Sequence, residues 1–251
     1  KDRWAVTRQF VTVPGRCAEF AAGISLPELK VLSVTMHRNK LKTGHLKGNR
    51  FIITLRGEQQ PFTDADLVAV QARIAELQSG GFPNYYGPQR FGRGGQTLHD
   101  GLRLLQGRMP KDYWPDDQSR TLKRLSLSAV QSAVFNLTTA LRVEAGTAGT
   151  PQEGDVVIRR GGIKPFLLPA GQSAADYLPA GPMPGPEMTT AAGEVLQQEQ
   201  SAMQLLGLHA GVFSRFAKLT SGARRRMLEF PENTGVELVE GALRISFSLP
   251  P

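Results

Sequence analysis

The sequence predicts an α+β fold in which sheet-forming segments near both ends of the chain flank a mainly helical middle. Three observations predict it. Runs rich in β-branched residues with period-two alternation occupy the first 57 residues, a similar alternating pair closes the chain, and the segments between carry apolar residues at helical spacing.

In order, "AVTRQFVTV", "LKVLSVTMHRN" and "GNRFIITLRG" read as three strands. Between the first two, Ala18, Phe20 and Ala21 suit a short helix. "TDADLVAVQARIAELQSGG" is the clearest helix. Thr63 stands as N-cap, acids fill the first turn, Leu67, Val70, Ile74 and Leu77 share one face, and Gly80 and Gly81 stop it. "GFPNYYGPQRFGRGGQTLHDG" is too irregular for a strand and too broken for a helix. "HDGLRLLQGR", "LKRLSLSAVQSAVFNLTTALRVEAG" and "AAGEVLQQEQSAMQLLGLHAGVFSRF" supply helices, with Leu125, Val130, Val134, Phe135, Leu137 and Leu141 available for a shared core. "GDVVIRRGG" suits a hairpin, and "LPAGQSAADYLPAGPMPGPEMTTAAGE" reads as a mobile loop from its proline, glycine and alanine. "GVELVEGALRISFSLPP" is a hairpin turning at Glu240 and Gly241.

The 251 residues suffice for one large or two modest domains. Their net charge of +8 is carried entirely by Lys1 to Arg56, where eleven Lys and Arg face three acids. Such asymmetry points to a polyanionic partner. Cys17 is the only cysteine, which rules out an intramolecular disulfide in this sequence and suits a reducing compartment. The histidines and Cys17 show no metal-ligand spacing, and no apolar run reaches the roughly 18 residues of a membrane span. A cytoplasmic protein without a metal is the expectation. "GRGGQTLHDG" lacks the lysine of a phosphate-binding loop, and His37, His45, His99 and His209 have no acid partner at a spacing that suggests general-base work.

Four stretches carry the candidate chemistry. Asp2 lies between Lys1 and Arg3, and nearby cations favour its ionised form; it is either a surface ion pair or an anion held for reaction. In "KGNRF", Asn49 and Phe51 share a face if the segment is a strand, and Phe51 is either core or a stacking platform. "GFPNYYGPQRFG" combines Asn84, Tyr85, Tyr86, Gln89, Arg90 and Phe91 in a glycine-bounded loop, either a ligand contact with Arg90 for a phosphate and flat aromatic faces or a rigid aromatic plug. Arg38, Lys40, Lys42, Lys47 and Arg50 form the densest basic stretch, a solvated face or a phosphate guide. "GARRRM" reads as an ordinary helix surface or as a second anion contact.

Together "KDRWAVTRQ", "LKTGHLKGNRF" and "GFPNYYGPQRFG", in this order and spacing, resemble the TruD family of tRNA pseudouridine synthases. The resemblance implies a pseudouridine-synthase-type mixed, largely antiparallel sheet with an inserted helical TRUD domain. Residues 1–80 and 230–251 would form the catalytic domain and 81–229 the insertion. It implies isomerisation of a tRNA uridine, uridine 13 of the glutamate tRNA, to pseudouridine. That chemistry breaks the C1′–N1 bond, turns the base and rejoins it through C5, with no cofactor, metal or group donor. Asp2 corresponds to the family's catalytic aspartate, Phe51 to the residue stacking on the uracil, and Asn49 to its orienting neighbour. Asn84, Gln89, Arg90 and Phe91 correspond to cleft residues. Lys1, Arg38, Lys40, Lys42, Lys47 and Arg50 would guide the phosphates of tRNA, the expected partner, with no obligate protein partner evident.

Family members carry a segment before the "KD" motif with a "KxxPEDFxVxE"-like sequence, and a "GSFATxVLREL"-like helix after "SFSLPP". Neither occurs in these 251 residues. The expectation is a sheet with an exposed edge and exposed apolar surface. A noncatalytic RNA-binding module would use the same basic front and aromatics, and a purely structural basic protein leaves the three ordered motifs unexplained.

Overall fold

The computed structural model describes residues 5–42 and 46–250. The chain divides into two units, Lys1–Asn49 with Pro250–Pro251, and Arg50–Leu249.

In the first unit a 3-10 turn, Gly15–Cys17, leads into helix α1, Ala18–Ala22, and a two-rung hairpin pairs β1, Ser25–Leu26, with β2, Leu29–Lys30. None of its described residues is buried. The strands predicted over "AVTRQFVTV" and most of "LKVLSVTMHRN" are not formed among the described residues. Alternation makes a segment suitable for a sheet, but a strand is held by its neighbour's ladder, and these residues have none here. The third prediction holds as strand β3, Asn49–Arg56.

The second unit shows how local signals fix an element. Thr63 accepts a hydrogen bond from the Asp66 amide and the Asp66 carboxylate accepts from Thr63 N–H at 2.8 Å, a reciprocal cap that starts α2, Asp64–Gly80. The predicted face of Leu67, Val70, Ile74 and Leu77 is its half-buried side. Gly81 ends it at φ 74°, where a Cβ would also lie 2.9 Å from the Phe230 ring, so only glycine fits. The helix packs on β10, Glu232–Val239, which pairs antiparallel with β11, Ala242–Leu249, through the predicted turn at Glu240 and Gly241. The sheet order is β10-β11-β3, which leaves β3 at the edge. All eight β3 residues are exposed, including Ile52, Ile53 and Leu55.

Strand β4, Phe82–Pro83, pairs with β9, Leu228–Glu229, so the excursion between them leaves and returns at one place. Inside it lie α3, Gln96–Leu105; α4, Asp116–Glu144; β5, Val156–Arg159; β6, Pro165–Leu167; β7, Tyr177–Met183; α5, Gly193–Leu205; and β8, Ala223–Arg226. The strands form an antiparallel sheet in the order β6-β5-β7-β8. α3 and α4 pack on each other over Leu105, Leu127, Val130, Val134, Leu208 and Phe213. Leu125 and Leu141, predicted for the core, are exposed instead, and Leu127 is buried in their place.

Two further expectations are corrected. The proline-rich segment predicted as a mobile loop contains β7, an interior strand buried from Leu178 to Met183. Its small residues serve packing. A Cβ on Gly181 would stand 2.9 Å from the Phe135 ring, so glycine lets α4 close on the sheet. The arginine triplet lies on strand β8, not on a helix, and Arg224 and Arg226 are buried. Arg224 forms a bidentate pair with Glu199 of α5 at 2.5 and 3.0 Å, as Arg142 of α4 does with Asp155 at 2.9 Å. The sheet thus has α4 on one face and α5 on the other: Gly181 and Arg225 approach Phe135, while Val156 packs with Val195.

Candidate nucleic-acid interface

Phe51 lies third on β3, on the same side as Asn49 by the strand's alternation. Its ring stacks on Phe247 of β11, with centroids 5.1 Å apart and planes 23° from parallel, and remains 39% exposed. The pair makes a flat apolar surface supported from beneath, of the kind that accepts a base face. Phe247 was not singled out from the sequence, because it reads as one more alternating residue of the closing hairpin.

The second cluster is the loop after β4. Asn84 N–H donates to Met227 O at 2.8 Å, and its side-chain amide donates to Arg226 O at 3.1 Å and to the Glu229 carboxylate at 3.2 Å. Its oxygen accepts from Arg225. All three side-chain contacts are internal, fastening the loop to β8 and β9. The Tyr86 backbone is held at both ends by one amide: N–H donates to Asn136 Oδ1 and C=O accepts from Asn136 Nδ2, both at 2.9 Å. Over the Tyr86 ring stand two guanidinium groups, Arg90 at 4.9 Å and Arg225 at 4.5 Å from the centroid, and the ring meets Phe135 edge-on at 5.8 Å. Arg90 Nε also donates to Ser132 at 3.1 Å.

The loop is therefore a rigid piece built by its own arginine and by residues some fifty and 140 positions further along. Tyr85, Pro88 and Gln89 are its exposed side chains, and Phe91 is half-buried. Burial, and secondarily the charge of Glu144, raises the Tyr85 phenol above its ordinary value. Burial likewise raises Glu229 against the pull of Arg226, whose Nε is 3.0 Å away. Arg225 is the contact that sequence reasoning missed: within a triplet of like charges nothing local distinguishes the residue that reaches Asn84 and Tyr86.

Arg38, Lys40, Lys42, Lys47 and Arg50 are exposed. Asp2 and Lys1 lie outside the described residues. Among the described residues no group of three His, Cys, Asp or Glu could hold a metal ion, and no helix is long and apolar enough to cross a membrane.

The comparisons with known proteins decide the family. A family model described as tRNA pseudouridine synthase D (TruD) matches residues 1–115 and 110–251, the whole chain. The chain belongs to the TruD family. It is similar to the tRNA pseudouridine synthase D of Anaeromyxobacter dehalogenans, 34% identical over all of this chain and 72% of that protein. It is 33% identical to that of Thermus thermophilus and 32% to that of Aeromonas hydrophila, again over the full chain, covering 68% and 69% of those proteins. A crystal structure described as a TruD protein of Methanosarcina mazei matches with a TM-score of 0.67 at 22% identity, over 93% of this chain and 72% of that one. The α+β fold of this TruD-family chain accords with that match, and its "GFPNYYGPQRFG" segment is the packed loop described above.

Proposed function

We propose that the protein is a tRNA pseudouridine synthase that isomerises uridine 13 of the glutamate tRNA through the carboxylate of Asp2, with no cofactor. Membership of the TruD family over the full chain is the observation that carries the reading. In this reading residues 1–80 and 230–251 belong to the catalytic domain and 81–229 to the inserted one. The pairing of β4 with β9 at the start and end of that segment supports the division.

The reaction requires that the uracil leave its glycosidic bond and return through C5 without escaping. A carboxylate close to C1′, C2′ or C6, either attacking or taking a proton, supplies the chemistry. Confinement of the freed base is a stacking problem. Phe51 meets it with one ring face against Phe247 and the other side partly open, and Asn49 adds a polar group on the same strand face. Asn84, Gln89, Arg90 and Phe91 form the rigid loop of the cleft, and Lys1, Arg38, Lys40, Lys42, Lys47 and Arg50 draw in the phosphates.

The test is Asp2→Asn. It removes the reacting oxygen charge while leaving the cationic surface in place, so conversion of the tRNA uridine, read as a carbodiimide adduct of pseudouridine, is abolished and tRNA binding persists. Conversion by the Asn variant would remove Asp2 from the mechanism. Binding by the wild type without conversion would leave a noncatalytic RNA-binding protein.

A further inference from the structure

A cleft of about 520 Å³ lies where α3 and α5 end, and its lining includes none of the site residues proposed above. Its floor is apolar and fixed: Leu105, Leu208 and Val212 belong to the buried α3–α4 core. Its rim is cationic and polar, with Arg108, Arg215, His209 and Gln106 exposed, and no acid lines it. Left-handed glycines, Gly207 at φ 67° and Gly211 at φ 80°, shape the connection that carries His209.

Two helix C-termini meet here, and their carbonyls would oppose an anion. Those of α3 are already engaged, as are Met203 O and Gln204 O of α5. Arg215 Nη2 donates to Leu105 O at 2.5 Å, the amides of Gln106, Gly107 and Arg108 close the last turns of α3, and the Leu208 amide bonds back to Met203 O at 3.0 Å. Only one guanidinium nitrogen of Arg215 is used in this way, and Arg108 contributes just its backbone to these bonds. The Arg215 guanidinium also stands over the Phe216 ring at 5.7 Å, and its remaining N–H groups, with those of Arg108, are donors on the rim of a preformed hollow.

We infer that this cleft is a second anchor for the RNA, binding a phosphodiester of the substrate backbone through Arg108 and Arg215. The inference rests on the proposed substrate class and deepens it: the basic front of the chain is one contact, and this cleft, built by the 81–229 segment, is another. The charge at the front is legible from composition. This second site is assembled from residues about a hundred positions apart and shows only in the fold.

The experiment measures binding of an unmodified glutamate tRNA transcript across a salt series, for the wild type, Arg108→Gln and Arg108→Gln/Arg215→Gln. Each phosphate contact contributes about 0.7 to 0.9 to the slope of log affinity against log salt. The single variant should lose about that much and the double about twice it. Arg73→Gln, which removes a cation from an exposed α2 pair with Glu76, is the control for general charge and should leave the slope near the wild-type value. Arg108 makes no side-chain bond to its surroundings among the described residues, so the single variant stands even if the double melts early. An Arg108→Gln slope equal to that of Arg73→Gln overturns the anchor. The wild-type arm reads the proposed function separately: binding with a variant effect but no conversion fails the enzyme and keeps the anchor, while conversion with unaltered slopes does the reverse. A wild type that binds no RNA defeats both.

Discussion

Arg224→Met is the perturbation for which the structure supplies the fullest expectation. Arg224 is buried and makes four hydrogen bonds: Nη1 and Nη2 to the two oxygens of Glu199 at 2.5 and 3.0 Å, Nε to Thr189 O at 2.7 Å, and Nη1 to Ala180 O at 3.1 Å. Methionine fills much of the volume but leaves the Glu199 carboxylate buried and unmatched. Breaking one side of such a pair costs about 3 to 5 kcal/mol. The pH dependence follows from Glu199. Burial already raises its pKa above the ordinary 4.5, and the hydrogen bonds and charge of Arg224 are what hold the rise in check. Without Arg224 the folded value climbs further. A carboxyl with a raised folded value contributes its full stability below the unfolded value and loses it as pH rises through the folded one. The variant's deficit is therefore largest at neutral pH and shrinks as pH falls toward 4.5. Urea denaturation at pH 7 and pH 5 measures it. Glu199→Gln in the Arg224→Met background removes the stranded charge and should restore about 1 to 3 kcal/mol at pH 7, while Thr189 O and Ala180 O still lack their bonds from Arg224. Equal stability of the single and double variants at pH 7, or a deficit that grows on acidification, would refute the assignment of the cost to the buried carboxylate.

Phe51→Ala should lower kcat/KM for tRNA by a factor that corresponds to about 1 to 3 kcal/mol of lost stacking, with Phe51→Trp retaining most of it, measured in single-turnover conversion assays. Its urea midpoint should move little, since Phe51 is substantially exposed and Phe247 stays in place. Gly181→Ala puts a methyl 2.9 Å from the Phe135 ring inside the α4–β7 contact, and overpacking of this kind costs about 1 to 3 kcal/mol in the same denaturation experiment. Substitution of Phe135 by Leu in that background should recover part of the loss.

What the sequence made legible is what is encoded within a few residues. The Thr63 cap, the half-buried face of α2 and the closing β10–β11 turn each depend on neighbours in the chain, and each appears where the pattern puts it. β7 is hidden in the sequence because glycine and proline signal turns by their backbone effects. In the fold, Gly181 is there for the space it leaves to Phe135, and Pro179 contributes a carbonyl that accepts from Met227 N–H at 3.0 Å. The burial within the arginine triplet is hidden because charge signals exposure, whereas the acid that neutralises Arg224 stands 25 residues earlier in an ordinary polar helix pattern. In the candidate interface the motif loop was legible as a loop and Phe51 as an aromatic on a strand. Their supports, Arg225, Asn136 and Phe247, were not, since each comes from another element and carries no motif of its own.

The alternation of β8 has a consequence for how these groups act together. Arg224 turns to Glu199 of α5, and the next residue, Arg225, turns to the Phe135 and Tyr86 rings and to Asn84. One peptide unit therefore separates the ion pair that locks the sheet to α5 from the guanidinium that shapes the motif loop. Any substitution that lets β8 shift along β7 releases both, so changes at Arg224 and Arg225 must be strongly non-additive. Phe51 and Phe247 belong to the other sheet, with no residue in common with this network, and their contribution should add to it independently. A stability lesion in the 81–229 segment can thus mimic a binding lesion through the loop. One in the Phe51–Phe247 pair acts on the proposed base-stacking surface alone.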